Sequence, residues 1–352
     1  MLLDGRPLQD NALDARLYLE RGRLHERLRR AVSSRYNTLL LGKRGSGKTT
    51  ELAQLAFRLR EDDVPVAFAD VGLAESPLAV VQLIRNELGR TPSISDSWRQ
   101  AFRTALEPQP PALSVDSQLL DAVRALNIED PDGDDSGAAG PICLIVDGLA
   151  STEIAYTLFG RLRDELWRLP YVWVISGDVK QESSFLAPPA DAFFDVVLRI
   201  PDLELQDAQD LIARRASADV TESPGQRFLP DVTGLIGAWA DTPREVLRMF
   251  READLEDRTL DEVARDQQKL EDKARALGPS SEMAYREMRA MNRPVSASDA
   301  EFLNHLGWTR PRAVKVLNEL EAAGLARAST APPDGSGGRP RKLYLPVLEV
   351  FK

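Results

Sequence analysis

The feature that most constrains this chain is a short glycine-rich segment that follows an apolar run. Residues 42–49 read GKRGSGKT, and the run before them, residues 37–41, is short, apolar and ends at the first glycine. The glycines let successive backbone N–H groups point at one anion, which side chains would obstruct. A helix that begins after the segment adds its positive N-terminal dipole. The sequence therefore predicts a strand, a phosphate-binding loop and a helix in succession.

The segment has the spacing G-x-x-x-x-G-K-T of a nucleotide-binding P-loop. In this pattern Lys48 reaches the β- and γ-phosphates of ATP, and the Thr49 hydroxyl binds Mg²⁺. Apolar residues recur at helical spacing through residues 50–59, as expected of the helix that follows. The predicted nucleotide-binding residues are Gly42, Lys43, Arg44, Gly45, Ser46, Gly47, Lys48, Thr49 and Thr50.

A second apolar run ends in an aspartate. Residues 141–148 read PICLIVDG, so a buried strand would close on Asp147. A parallel strand delivers its last carboxylate to the same sheet edge as the P-loop, where the carboxylate orders the water around Mg²⁺. We therefore expect Thr49 and Asp147 to form the metal site and Lys48 and Asp147 to act in catalysis.

Other strands and helices alternate along the first 200 residues. Strands are predicted at residues 64–71, 172–178 and 196–201, and helices at 23–32, 77–88, 115–125 and 153–168. Residues 91–140 are otherwise irregular and include an acidic run at 129–137. Strand–helix–strand units of this kind predict an α/β fold with a parallel sheet.

Composition excludes several classes of function. The one cysteine, Cys143, allows no disulfide within the chain, and the two histidines lack the spacing of a zinc site. No run approaches eighteen apolar residues and no signal peptide is recognisable, so we expect a cytoplasmic protein without a membrane partner. The net charge of −10 argues against unselective nucleic-acid binding, although residues 280–352 hold 11 basic against 8 acidic residues.

The motifs together resemble AAA+ and STAND ATPases, and the origin-recognition type in particular. A helix at residues 203–215 that ends in paired arginines is similar to the start of their helical lid. Residues 234–247, GLIGAWADTPREVL, are similar to the lid motif G-x-P-R-E-hydrophobic, with Asp241 in place of its glycine. The resemblance implies that Arg244 is sensor 2, that Ser176 is sensor 1, and that Arg21 contacts the base or ribose. A purely structural role is the alternative for each of these three residues.

The chain departs from this resemblance in two places. Gly148 follows Asp147 where AAA+ hydrolases carry an acidic residue, and residues 179–198 contain no arginine that could act on a neighbouring subunit. Slow turnover is therefore expected, as in a nucleotide-held switch rather than a motor. The residues leave open whether Asp178, Glu153 or a second subunit supplies the missing catalytic group.

Residues 279–352 predict a winged-helix domain. A short helix at 298–307 and a second at 309–323 precede strands at 324–328 and 341–345, which flank a glycine-rich tip. In a DNA-binding winged helix the second helix enters the major groove and the wing contacts phosphates. The DNA-binding candidates are Arg310, Arg312, Lys315, Arg339, Arg341 and Lys342. Two glutamates on the same helix, and the use of winged helices as internal packing modules in STAND proteins, leave a non-DNA role open.

The sequence thus predicts a P-loop core at residues 1–202, a helical lid and connector at 203–278 and a winged helix at 279–352. The predicted function is an ATP- and Mg²⁺-binding, slowly hydrolysing switch that binds double-stranded DNA in a nucleotide-dependent way. The alternative is a STAND-like regulatory ATPase that forms ATP-dependent homo-oligomers or signals to a separate effector protein. A fast remodelling ATPase is disfavoured by Gly148.

Overall fold

The computed structural model describes residues 5–92, 94, 96–104, 115–127, 142–149, 151–217, 242–291, 293–331 and 340–348. Contacts divide the chain into two compact units. The first holds the described residues between 6 and 202 together with residues 210–217. The second holds residue 5, residues 203–209 and the described residues from 242 onward.

A five-stranded parallel sheet forms the centre of the first unit. Its spatial order is β2-β3-β4-β1-β5, with β1 at Thr38–Gly42, β2 at Val66–Asp70, β3 at Ile142–Asp147, β4 at Tyr171–Asp178 and β5 at Val196–Arg199. Because successive side chains of a strand point to opposite faces, Leu39 and Leu41 enter one apolar cluster and Leu40 enters another. Both faces are therefore covered, which explains why the strands read as continuous apolar runs.

Helices cover both faces of this sheet. The helices of the first unit are α1 (Ala12–Leu17), α2 (Leu24–Ser33), α3 (Lys48–Glu61), α4 (Pro77–Leu88), α5 (Asp96–Thr104), α6 (Val115–Arg124), α7 (Thr152–Ala155), α8 (Arg163–Trp167) and α9 (Glu182–Phe185), and α10 (Leu205–Ser217) has residues in both units. Helices α2 and α3 pack on one face, and α4 to α9 contribute to the cluster on the other. Helix α4 begins as the sequence predicts, since the Ser76 hydroxyl caps it and Pro77 occupies its first turn.

Two predictions in this unit are wrong in detail. The continuous helix at 153–168 is interrupted by a π-helical turn at Tyr156–Arg161, which lies between α7 and α8. The turn contains Gly160 and buries Phe159 against Trp173 and Phe193. The irregular stretch at 91–140 contains α5, which buries Phe102 and was not predicted, although its residues are amphipathic at helical spacing. The acidic run at 129–137 lies outside the described residues.

The second unit contains a winged helix. It is built from α11 (Pro243–Leu255), α12 (Leu260–Leu277), α13 (Pro279–Met291), α14 (Ala300–Leu306), α15 (Arg310–Ala322) and the antiparallel strands β6 (Ala326–Ala331) and β7 (Arg341–Pro346). Val295 pairs with Tyr344 of β7 through two backbone hydrogen bonds of 3.0 and 2.8 Å. The order of α13, this bridge, α14, α15 and the β6–β7 hairpin is that of a winged helix, and one apolar cluster joins these elements to α12.

The predicted fold class is confirmed: a parallel-sheet P-loop core and a C-terminal winged helix are both present. The boundaries predicted after residues 202 and 278 stay predictions. Helix α13 was not predicted, although Ala284, Met288 and Met291 have helical spacing and are buried. The lid motif before Thr242 and the wing tip with Arg339 lie outside the described residues. Within the described part of the chain, no helix is both long and apolar enough to cross a bilayer.

Candidate nucleotide-binding site

The P-loop lies between the end of β1 and the start of α3. Gly47, immediately before α3, has a φ of +98°, a left-handed conformation that glycine adopts without strain. A Cβ on Gly42 would lie 2.6 Å from the Ser46 hydroxyl oxygen, so a side chain there would force the Ser46 side chain to move. The Lys48 ammonium donates to the carbonyls of Gly42 at 2.6 Å and Lys43 at 3.1 Å. The lysine charge is thereby held against the loop's own backbone.

Asp147 joins the P-loop to two neighbouring strands. The Thr49 hydroxyl donates to Oδ2 of Asp147 at 2.6 Å, and the Ser176 hydroxyl donates to Oδ1. The backbone N–H of Gly148 in turn donates to the Ser176 oxygen at 3.1 Å. Asp147 is 5% exposed and Ser176 is 1% exposed, so the bond between these two side chains is shielded from water. The fold thus brings together three residues that the sequence singled out separately, from α3, β3 and β4.

The donor atoms at this point fit Mg²⁺. Thr49 and Asp147 present a hydroxyl and a carboxylate oxygen 2.6 Å apart, and Mg²⁺ prefers oxygen ligands. In the described residues no group of three or more His, Cys, Asp or Glu side chains could hold a metal ion by itself. A site with one or two protein oxygens is usual for Mg²⁺, because phosphates and water complete its coordination.

Arg21 contacts the P-loop from the N-terminal segment. Its side chain is buried, and its guanidinium donates to the carbonyl of Ser46 and, at 3.0 Å, to the carbonyl of Pro201 beyond β5. The guanidinium therefore ties the loop to the end of the edge strand. The contact with a base or ribose that the resemblance implies stays a prediction.

A buried polar network beside α3 was not predicted. The Tyr18 hydroxyl donates to Glu51 at 2.7 Å, and Nδ1 of His25 lies 3.0 Å from the other oxygen of Glu51. Burial, together with the Glu51 carboxylate, raises the pKa of Tyr18, so the phenol stays protonated and can donate. Glu51 precedes Leu55 by four residues, and its place on the apolar face of α3 was the signal that could have revealed it.

Three other predicted residues have structural contacts. Lys43 pairs with Asp202 at 2.8 Å, and the Thr50 hydroxyl accepts the backbone N–H of Leu8 at 3.1 Å. Arg244 lies in the first turn of α11, which the Thr242 hydroxyl caps. Its sensor 2 role stays a prediction, as do the nucleotide roles of Lys43, Arg44 and Thr50.

The basic residues of the winged helix divide into two groups. Arg310 and Lys315 are exposed on α15, although Lys315 lies 3.9 Å from Glu319. Arg312 folds back over the Trp308 ring at 4.7 Å and donates to Ser280, while Lys342 pairs with Glu321 at 2.5 Å. Arg341 is exposed at the start of β7. The winged helix thus presents positive charge that its own carboxylates partly neutralise.

Comparison with known proteins gives matches in structure alone. No protein-family model matches the chain, and no curated protein matches it in sequence. The chain is similar to the Orc1 protein of Aeropyrum pernix in complex with DNA, with 18% identity, a TM-score of 0.48, and 93% of this chain and 90% of that chain covered. It is also similar to Cdc6p of Pyrobaculum aerophilum, with 15% identity, a TM-score of 0.46, and 94% and 93% covered.

A third similar structure is the RuvB Holliday junction branch migration motor of Thermotoga maritima, with 14% identity, a TM-score of 0.42, and 94% of each chain covered.

Proposed function

We propose that the protein is an ATP-dependent switch whose winged helix binds double-stranded DNA. The observation that carries the proposal is the bonding of Asp147 to both Thr49 of the P-loop and Ser176 of β4. This arrangement prepares a phosphate site, because hydroxyl, carboxylate and ammonium groups are already placed around one sheet edge before a nucleotide binds.

Each residue of this site has a distinct task in the proposal. Lys48 neutralises phosphate charge, and Thr49 and Asp147 hold Mg²⁺, which when bound polarises the phosphate oxygens. Ser176 connects the Asp147 carboxylate to the backbone of Gly148, so it transmits a change at Asp147 to β4. Arg244 is proposed to contact the γ-phosphate, and Arg21 is proposed to contact the base or ribose.

Turnover is proposed to be low. Gly148 occupies the position after Asp147, so β3 itself carries no carboxylate that could orient an attacking water. An ATPase that hydrolyses slowly remains in its ATP-bound state long enough to act as a switch. The protein would act in the cytoplasm.

DNA is the proposed partner because the second unit has a winged helix with exposed basic residues. Arg310 and Lys315 on α15 and Arg341 on β7 lie on the two elements that contact DNA in winged helices. A structurally similar protein, the Aeropyrum pernix Orc1 protein, was solved in complex with DNA. The exposed arginines and lysine would contact phosphates, so the affinity should fall with salt.

One observation favours the alternative function. Glu319 and Glu321 lie beside Lys315 and Lys342, and Arg312 is packed on Trp308. A helix that carries both positive and negative side chains is also suited to contact with another protein. In that case the switch would signal to an effector protein or form homo-oligomers when it binds ATP.

The test is duplex DNA binding with ATP, with ADP and without nucleotide, each across a salt series. We expect affinity to be highest with ATP, to fall with salt, and to lose its nucleotide dependence in Lys48→Ala. The double variant Arg310→Ala/Lys315→Ala should weaken DNA binding, whereas Arg265→Ala/Lys273→Ala, a matched loss of charge on α12, should not. A DNA affinity that is the same with ATP, with ADP and without nucleotide would contradict the proposed switch. ATP-dependent oligomerisation without any DNA binding would favour the alternative.

A further inference from the structure

The position that follows Asp147 leaves little room for a second carboxylate. Gly148 has a φ of +85°, and a Cβ on it would lie 3.0 Å from both the Cα and the N of Gly72. A contact of 3.0 Å is tighter than nine in ten real Cβ contacts, and a residue with a side chain is also strained at this φ. The fold of this chain therefore disfavours the acidic residue that AAA+ hydrolases carry here.

The atoms that close this position belong to the end of the neighbouring strand. Asp70 is the last residue of β2, and the register pairs it with Asp147 of β3. The pairing continues for one further bond, since the N–H of Val71 donates to the Asp147 carbonyl at 2.8 Å. Oδ1 of Asp70 would lie 3.2 Å from a Cβ on Gly148. The Asp70 carboxylate thus lies next to Gly148, although it belongs to β2 and not to β3.

The Asp70 carboxylate is fixed and yet accessible. Its Oδ1 accepts the backbone N–H of Gly72 at 3.0 Å, which orients the group, while the residue itself is exposed at the sheet edge. Neighbouring strands lie about 4.8 Å apart, so this carboxylate is one strand away from the Thr49–Asp147 pair. An oriented, solvent-facing carboxylate beside a phosphate site can accept a proton from water.

We propose that Asp70 is the catalytic carboxylate that orients and deprotonates the attacking water in ATP hydrolysis. This inference rests on the proposed function. The water oxygen forms a bond to the γ-phosphorus as the bond from that phosphorus to the bridging oxygen of ADP breaks. The electron pair of the broken bond stays on ADP, and the water proton passes to the Asp70 carboxylate and then to solvent. Asp147 remains with Thr49 and Ser176 throughout.

Two other carboxylates compete for this role. Asp178 ends β4, is paired in register with Gly42, and accepts the N–H of Lys180 at 2.9 Å. Glu153 is exposed on α7. Asp178 resembles Asp70 in that both are strand ends whose carboxylates accept one nearby backbone N–H, although Asp178 is half-buried and Asp70 is exposed. Only Asp70 lies against Gly148, and this difference makes Asp178 the informative comparison.

The test measures ATP affinity by equilibrium titration and ATP hydrolysis by single turnover in Asp70→Asn, Asp178→Asn and Glu75→Gln. The amide in Asp70→Asn still accepts the Gly72 N–H, so the fold should be kept. We expect Asp70→Asn to lower the single-turnover rate about 100-fold or more while the ATP affinity stays within about threefold. Asp178→Asn and Glu75→Gln, an exposed carboxylate on the same loop, should hydrolyse ATP at close to the wild-type rate.

The outcomes separate the inference from the proposed function. A wild-type protein that does not bind ATP overturns both. A wild-type protein that binds ATP but shows no turnover, or an Asp70→Asn variant that hydrolyses at the wild-type rate, overturns the role of Asp70 and leaves the switch intact. A selective loss in Asp178→Asn would assign the role to β4 instead.

Discussion

The candidate nucleotide site and the basic surface of the winged helix are organised in opposite ways. At the nucleotide site the polar side chains bond to one another across α3, β3 and β4, and Asp147 and Ser176 are buried. On the winged helix the basic side chains lie at the surface and bond to carboxylates of the same unit, as Lys342 does with Glu321. The hydrogen bonds of the nucleotide site hold its side chains in one geometry. The basic side chains of the winged helix can exchange their carboxylate partners for a negatively charged ligand. Nucleotide binding should therefore depend strongly on single residues, whereas DNA binding should depend on the combined charge of many residues.

Among the changes in ligand affinity and stability that test this comparison, the largest is expected from Asp147→Asn. The amide keeps the shape of the side chain but loses its negative charge, so Mg²⁺ loses its protein carboxylate. We expect Mg²⁺-dependent ATP affinity to fall about 10- to 100-fold. The measurement is ATP titration with Mg²⁺ and with a chelator. The benefit of Mg²⁺ should be large in the wild type and nearly absent in the variant, and an equal benefit in both would show that Asp147 does not serve the metal.

Ser176→Ala should mainly cost stability. The substitution leaves a buried oxygen of Asp147 without its hydroxyl donor, which costs about 1–3 kcal/mol in free energy of unfolding. Ser329→Ala, on the exposed face of β6, should stay within about 0.5 kcal/mol. Chemical denaturation of the two variants compares a buried hydroxyl with a surface one. If both lose the same amount, the Asp147 network is not the fixed element that we infer.

The sequence was sufficient for the parts of the site that depend on local pattern. The P-loop and Asp147 could be predicted because each is a short motif whose chemistry follows from its own spacing. The proximity of Asp70 to Gly148 could not, because it depends on which strands pair and in what register. Asp70 ends an apolar run much as Asp147 does, so the pattern was present, but the single sequence does not say that β2 lies beside β3.

In the fold, too, the elements with local sequence signals could be predicted, and those set by tertiary packing could not. Helix α4 is observed at its predicted bounds, since its cap and its first-turn proline mark the start. The π-helical turn at Tyr156–Arg161 escaped prediction because a bulge in a helix is set by how Phe159 packs, not by propensity. The network of Tyr18, His25 and Glu51 was missed for the same kind of reason, as it joins residues that only tertiary packing brings together.

A smaller effect is expected from Asp299→Asn in the winged helix. Burial alone would raise the pKa of Asp299, but the hydrogen bond from Arg293 and the backbone N–H of Phe302 outweigh it and lower the pKa. A lowered pKa stabilises the fold above the unfolded value of about 3.9, and this stability is lost as the pH falls through the folded-state pKa.

The variant should therefore be less stable than the wild type by about 1 kcal/mol at pH 7. The difference should shrink as the pH falls below about 4, because the carboxylate of the unfolded chain is then protonated while that of the folded protein is still charged. Chemical denaturation across pH measures it. Asp254→Asn, an exposed carboxylate on α11, serves as the control and should show no such trend. A difference for Asp299→Asn that does not change with pH would mean that packing, rather than charge, holds the start of α14.

The smallest effect is expected from single charges on the DNA-binding candidates. Arg310→Ala should reduce the slope of log affinity against log salt concentration by about 1, because one phosphate contact is lost. Lys342→Ala should change the slope less, since Lys342 already shares its charge with Glu321 at 2.5 Å and must give up that bond to contact a phosphate. Salt titrations of duplex DNA binding with ATP compare the two variants. Equal slopes would mean that the pairing with Glu321 does not limit Lys342, and the proposed division of the basic residues into two groups would then fail.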